Sequence, residues 1–133
     1  MKILGRGEKI LRETQTPYLV NEERQVLARF LARLESEGGD AIRRVILYGS
    51  KARGDIHEDS DTDVLVVRAD IATLDRIEAI TRASEFREVD GTRISWRLLT
   101  EEDYADYRRL MFPFYVNIRR DGIELWNPAA CLI

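Results

Sequence analysis

The 133-residue chain has one cysteine, Cys131, one histidine, His57, and three prolines. A lone thiol cannot build an internal disulfide framework or a cysteine-based zinc site of the usual kinds, and the cytoplasm is the expected compartment. Long apolar runs are missing as well. The longest, Leu110 to Val116, is interrupted by Pro113 and is far too short to cross a bilayer, so no membrane segment is expected. Met1 to Val20 has no continuous apolar stretch and does not read as a secretory signal. Nor is there a surplus of one charge: 21 Lys and Arg stand against 24 Asp and Glu, a net of −3. That balance argues against holding nucleic acid through bulk positive charge, and leaves room for a local basic pocket that takes one small anion.

What is present is an ordinary globular composition, 44% hydrophobic and 34% charged, in a length that suits one hydrophobic core. A single domain over residues 1–133 is expected, with 1–20 as an N-terminal extension. The negative charge is unevenly spread. Asp55, Glu58, Asp59, Asp61 and Asp63 fall within nine residues that contain no Lys or Arg.

Asn21 and Glu23 introduce Val26, Leu27, Phe30, Leu31 and Leu34 at three- and four-residue spacing, closing at Gly38-Gly39, which predicts a helix. Arg43 to Tyr48 reads as a strand ending at Gly49-Ser50, with one or two helical turns over Lys51-Ala52-Arg53 before Gly54. A second strand is predicted over Asp61 to Val67, a helix over Ile71 to Phe86, and a third strand over Thr92 to Leu99 after an Asp90-Gly91 turn. Thr100 and Asp103 form an N-cap signature for a helix through Leu110. Phe112 to Arg120 is expected to be helical, and Ile123 to Trp126 a short last strand.

The chemistry concentrates between Ile46 and Val67. A Gly-Ser pair at a strand end that opens a helix offers backbone N–H groups and a hydroxyl to a phosphate, so Gly49 and Ser50 are candidates to hold a triphosphate. Asp61 and Asp63 lie two apart on a predicted strand, on the same face, with Cα atoms about 7 Å apart. Two carboxylates on one face can share a divalent metal, and Mg2+ prefers a few carboxylates completed by phosphate oxygens. Lys51 and Arg53 follow the phosphate loop, where they either neutralise phosphate charge or take an ordinary solvated or acid-paired role. His57 reads as a solvated loop histidine, Tyr48 as a core residue, and Arg119 and Arg120 as a solvated helix end. Trp96, Trp126, Phe112, Phe114 and Tyr115 sit in apolar contexts where packing is the default and any excess would form a partner interface. Gly5-x-Gly7 lacks the lysine-bearing remainder of a P-loop and is discounted.

Gly49-Ser50, ten intervening residues and then Asp61-x-Asp63 resembles the signature of the polymerase-β-type nucleotidyltransferases, and the small size resembles their minimal subgroup. Lys51-Ala52-Arg53-Gly54 and Ser60-Asp61 match the fuller pattern, and Phe114 through Leu125 resembles the usual last helix and strand, so the likeness runs from about Arg43 to Trp126. It implies an α/β fold, a mixed β-sheet flanked by helices. It also implies Mg2+-dependent transfer of a nucleoside monophosphate, AMP from ATP or another NTP, to an acceptor with release of pyrophosphate. Asp61 and Asp63 would be the catalytic and metal-binding residues, and Gly49, Ser50, Lys51 and Arg53 the nucleotide-binding ones. Many such proteins pair with a HEPN-domain protein, and in some pairs the minimal enzyme is an antitoxin that adenylylates a tyrosine of a HEPN ribonuclease toxin.

Catalytically complete members carry a third carboxylate on a later strand, ahead of a Thr-Glu-Glu helix start. Aligning Thr100-Glu101-Glu102 with that start puts Ser95 at the carboxylate position. A serine hydroxyl at its normal pKa neither ligates metal nor accepts a proton well. Glu88 or Asp90 could supply the missing oxygen, although both read as turn residues. Three functions follow as expectations: AMP transfer to a partner protein, a catalytically weakened nucleotide-binding antitoxin or regulatory subunit, and a small-molecule nucleotidyltransferase of the antibiotic-modifying kind whose acceptor pocket needs a homodimer.

Overall fold

The computed structural model describes residues 16–38, 41–55, 61–69, 74–82, 86, 88–89 and 92–126. The expectations for Gly5-x-Gly7, for His57 and the rest of the acidic loop from Ile56 to Ser60, for the Asp90-Gly91 turn and for Cys131 lie outside these residues.

The elements run α1 (Asn21–Gly38), β1 (Ile42–Tyr48), α2 (Ser50–Arg53), β2 (Thr62–Arg68), α3 (Leu74–Arg82), β3 (Glu88–Val89), β4 (Thr92–Thr100), α4 (Glu101–Arg109), α5 (Pro113–Asp121) and β5 (Ile123–Trp126). One mixed sheet has the order β3-β4-β2-β1-β5. β1 is antiparallel to β2 and to β5, while β2 and β4 are parallel. The predicted α/β architecture is the observed one. Among the described residues no helix is long and apolar enough to cross a membrane.

Each element follows from its side chains. The apolar stripe of α1, from Val26 through Leu34, is wholly buried, which is what the 3.6-residue period requires of a helix laid on a sheet. Thr100 caps α4 by accepting a hydrogen bond from the Asp103 N–H at 3.0 Å, as its spacing predicts. Pro113 sits in the first turn of α5, where its missing N–H is not needed. One prediction is corrected: Glu88 is not a turn residue. It lies in β3 and pairs with Arg93 in a short hairpin, a pairing two residues long that carries too little periodicity to be read from sequence.

Both faces of the sheet are covered, which explains why β2 reads as a continuous apolar run and not as an alternating one. Val64 and Val66 face one core with Phe30, Leu34, Ile77 and Ile80 of α1 and α3. Leu65 and Val67 face a second core with Ile118, Tyr104, Tyr107 and Phe114 of α4 and α5. Because β1 runs against β2 while β4 runs with it, the C-terminal end of β1 meets the N-terminal ends of β2 and β4. The chemistry-bearing residues gather at that edge.

Candidate active site

Three residues form a row across three strands at this edge: Tyr48 of β1 is the ladder partner of Asp63, and Asp63 is the partner of Ser95 on β4. The turn that follows Tyr48 is built on Gly49, whose φ of 78° and ψ of −160° belong to a backbone region that is nearly exclusive to glycine. A Cβ added there would collide with Oδ2 of Asp63 and stand 3.3 Å from its Cγ. The absent side chain therefore lets the β1 turn and the β2 carboxylate close on each other. The carbonyl of Gly49 starts α2 by accepting from the N–H groups of Ala52 and Arg53 at 3.0 and 3.1 Å, and Ser50 opens the helix. Gly49, Ser50 and Asp63 are brought together as the sequence suggests.

Asp61 immediately precedes β2 on the same approach. The carboxyl of Asp63 is pushed above its ordinary range, first by burial and then by the negative charge of Asp61, while Arg53 pulls it back. Arg53 is also within 3.2 Å of Asp55 and 4.0 Å of Asp121, so its guanidinium sits among three acids. A half-buried carboxylate whose proton affinity is raised by a neighbouring carboxylate marks a place where a cation is favoured. The donors are all oxygen, which suits Mg2+ better than a softer metal. Among the described residues no group of three or more His, Cys, Asp or Glu could hold an ion. A metal here would need phosphate or water oxygens to complete its coordination.

Lys51 does not join this group. Its ammonium turns inward and is buried, 3.0 Å from Oε2 of Glu23 on α1. The same oxygen accepts a hydrogen bond from the Thr62 hydroxyl at 2.6 Å, and Oε1 accepts from the Val20 N–H at 3.0 Å. Burial pushes the Glu23 carboxyl up, but the hydrogen bonds from Thr62, Val20 and Lys51 outweigh it and hold the group below the usual carboxylate range. Glu23 thus caps α1 with one oxygen, in the manner of a capping box, and with the other ties α2 to the residue between Asp61 and Asp63. In the sequence Glu23 marks only a helix start. Its second role joins residues 28 and 39 positions apart, for which local patterning gives no signal.

Tyr48 is half-buried and packs against the second core; burial and then the charge of Asp63 raise its hydroxyl's pKa. Its ring meets Phe114 of α5 edge-on at 5.4 Å. A separate cavity of about 180 Å³ between β1, β5, α4 and α5 contains none of the predicted site residues. Its two arginines are engaged, Arg44 with Glu124 at 2.7 Å and Arg119 with the Tyr115 hydroxyl at 3.3 Å.

Fold and site together define a chain in which a glycine turn and two carboxylates, Asp61 just before β2 and Asp63 within it, share one edge of a mixed sheet. The family described as Polymerase beta, Nucleotidyltransferase matches residues 33–128, and the chain belongs to it. Two Methanocaldococcus jannaschii proteins, each named putative protein adenylyltransferase, are similar. MJ0604 is 44% identical over 48 residues, covering 36% of this chain and 47% of that protein. MJ0141 is 46% identical over 43 residues, covering 32% and 43%. The matched stretch thus spans less than half the length of these relatives. Among solved structures, a toxin–antitoxin crystal structure with AMP-PNP gives a TM-score of 0.44 at 19% identity, covering 81% of this chain and 74% of that one. The crystal structure of a putative nucleotidyltransferase from Sulfolobus solfataricus gives 0.40 at 19% identity, covering 82% and 90%.

Proposed function

We propose that the chain is a minimal nucleotidyltransferase that binds Mg-ATP through Gly49, Ser50, Arg53, Asp61 and Asp63 and transfers AMP to a partner protein. The observation that carries this reading is the close approach of Gly49 to the Asp63 carboxylate, which sets the glycine turn that opens α2 against the Asp61–Asp63 pair. Family membership and the names of the two archaeal relatives support the reaction class. Backbone N–H groups at the start of α2 and the Ser50 hydroxyl would hold the phosphates, with Arg53 adding charge from the end of that helix. Asp61 and Asp63 would hold Mg2+, which when bound supplies charge to the phosphate oxygens. In the transfer, an acceptor hydroxyl gives its proton to water, its oxygen bonds to the α-phosphorus, the α–β bridging P–O bond breaks, and pyrophosphate leaves with that electron pair. Lys51 acts behind this site as the buried partner of Glu23. A HEPN-domain protein is the proposed acceptor and the antitoxin role the proposed biology.

Ser95 supports a second reading. The ladder sets it directly opposite Asp63, where a third carboxylate would take the acceptor's proton. With a hydroxyl there, the chain is a slow enzyme or a nucleotide-binding antitoxin that neutralises its partner by contact. Incubating the protein with α-labelled ATP, Mg2+ and the product of the neighbouring gene separates the two. Label on the partner is the expected result, and Ser95→Asp should raise its rate. Tight ATP binding with no label on the partner, in wild type and Ser95→Asp alike, would overturn the transfer reading.

A further inference from the structure

Alternate residues of a strand share a face, so the side of β4 that carries Ser95 also carries Arg97. The guanidinium of Arg97 is 4.2 Å from the centroid of the Phe114 ring, and Phe114 in turn abuts Tyr48, the ladder partner of Asp63. Asp63, Tyr48, Phe114, Arg97 and Ser95 therefore close a circuit around one patch of the sheet. Arg97 is exposed, and among the described residues no carboxylate pairs with it. Stacking on Phe114 restrains the plane of the guanidinium and leaves its N–H edge able to donate.

Charge arithmetic gives this arginine a purpose. A carboxylate at position 95 would join Asp61 and Asp63 as a third at this edge, a set that would suit a pair of divalent ions. Serine at position 95 leaves two, and Arg53 and Arg97 bring two fixed cations to the same edge. We propose that Arg97 is a phosphate-binding residue of the nucleotide site, supplying from β4 the positive charge that a metal on a third carboxylate would otherwise provide. The ligand class is a nucleoside triphosphate, which a guanidinium fork engages through paired hydrogen bonds. The inference rests on the nucleotide-binding reading of this site, and it requires that part of the affinity for triphosphate survive removal of metal.

The test is titration of the full chain with a non-hydrolysable ATP analogue, in EDTA and in saturating Mg2+. In EDTA the wild type should bind measurably, and Arg97→Gln, which retains a planar group over Phe114, should weaken binding by about tenfold. Arg97→Lys should lose less, and Arg108→Gln, which removes an exposed charge from the end of α4, should change nothing. Circular dichroism of each variant verifies the fold. Metal-free affinities of Arg97→Gln and wild type that agree within about twofold would overturn the proposal, as would the absence of any metal-free binding by the wild type. Absence of binding even in saturating Mg2+ would instead overturn the nucleotide-binding reading itself.

Discussion

The two sides of the loop after β1 are built on opposite principles. Behind it, Glu23, Lys51 and Thr62 form a buried knot in which each charge or hydroxyl meets a partner within 3.0 Å. In front, Asp61 and Asp63 repel each other at the sheet edge, with Arg53 shared among several acids. The rear is satisfied and fixes geometry. The front retains unspent charge, and unspent charge at a glycine turn is what a phosphate-and-metal ligand would neutralise. Lysine immediately after the Gly-Ser pair looks like a phosphate ligand in the sequence, yet it serves the rear.

The largest effect should come from breaking the knot. Glu23→Ala leaves a buried ammonium and the Val20 N–H without their acceptor, and should destabilise the fold by about 3–5 kcal/mol in urea unfolding. The double variant Glu23→Leu with Lys51→Met should recover most of that loss, because it removes the stranded charge. A double variant no better than the single one would show that the pair is not the unit described. Next in size is Gly49→Ala. Forcing a side chain into a nearly glycine-only conformation costs about 1–3 kcal/mol, and the added Cβ displaces the Asp63 carboxylate. Thermal unfolding should register the loss of stability, and triphosphate binding should fall with it.

A smaller and opposite effect is expected at the front. A carboxyl whose folded pKa is raised holds its proton more tightly in the folded chain than in the unfolded one. Its contribution therefore destabilises the fold as pH rises above the ordinary carboxylate range, and that penalty disappears on acidification. Asp63→Asn should raise the unfolding midpoint at pH 7 and leave it unchanged near pH 3. Glu23 has the reverse signature: its folded pKa is depressed, so its stabilisation is complete at neutral pH and is lost as pH falls below the ordinary carboxylate range. Smallest of all is Arg44→Ala. Its pair with Glu124 is 40% exposed on both sides, so chemical denaturation should register a change below about 1 kcal/mol.

The front was largely legible in the sequence, and the rear was not. Gly49, Ser50, Asp61 and Asp63 are linked by short spacing and by the alternation of a strand, both of which are local properties. The expectation that Ser95 stands at the third-carboxylate position is consistent with its pairing to Asp63, since a parallel ladder carries register across from β2 to β4. Helices α1, α4 and α5 follow from apolar period, caps and proline. The pairing of Glu23 with Lys51 and Thr62 depends on how α1 docks on the sheet, and no periodicity encodes a contact between three such distant positions. The surroundings of Arg97 are not legible in the sequence for the same reason. Its significance appears only once Phe114, from a helix 17 residues further along, is laid across the strand beside Tyr48.

The most direct measurement is calorimetric titration of the wild type and of Asp63→Asn with a non-hydrolysable ATP analogue, each with and without Mg2+. Mg2+ should tighten binding by the wild type, and this gain should vanish in Asp63→Asn, which keeps its fold. An equal Mg2+-dependent gain in both proteins would contradict the claim that Asp61 and Asp63 hold the metal-bound triphosphate.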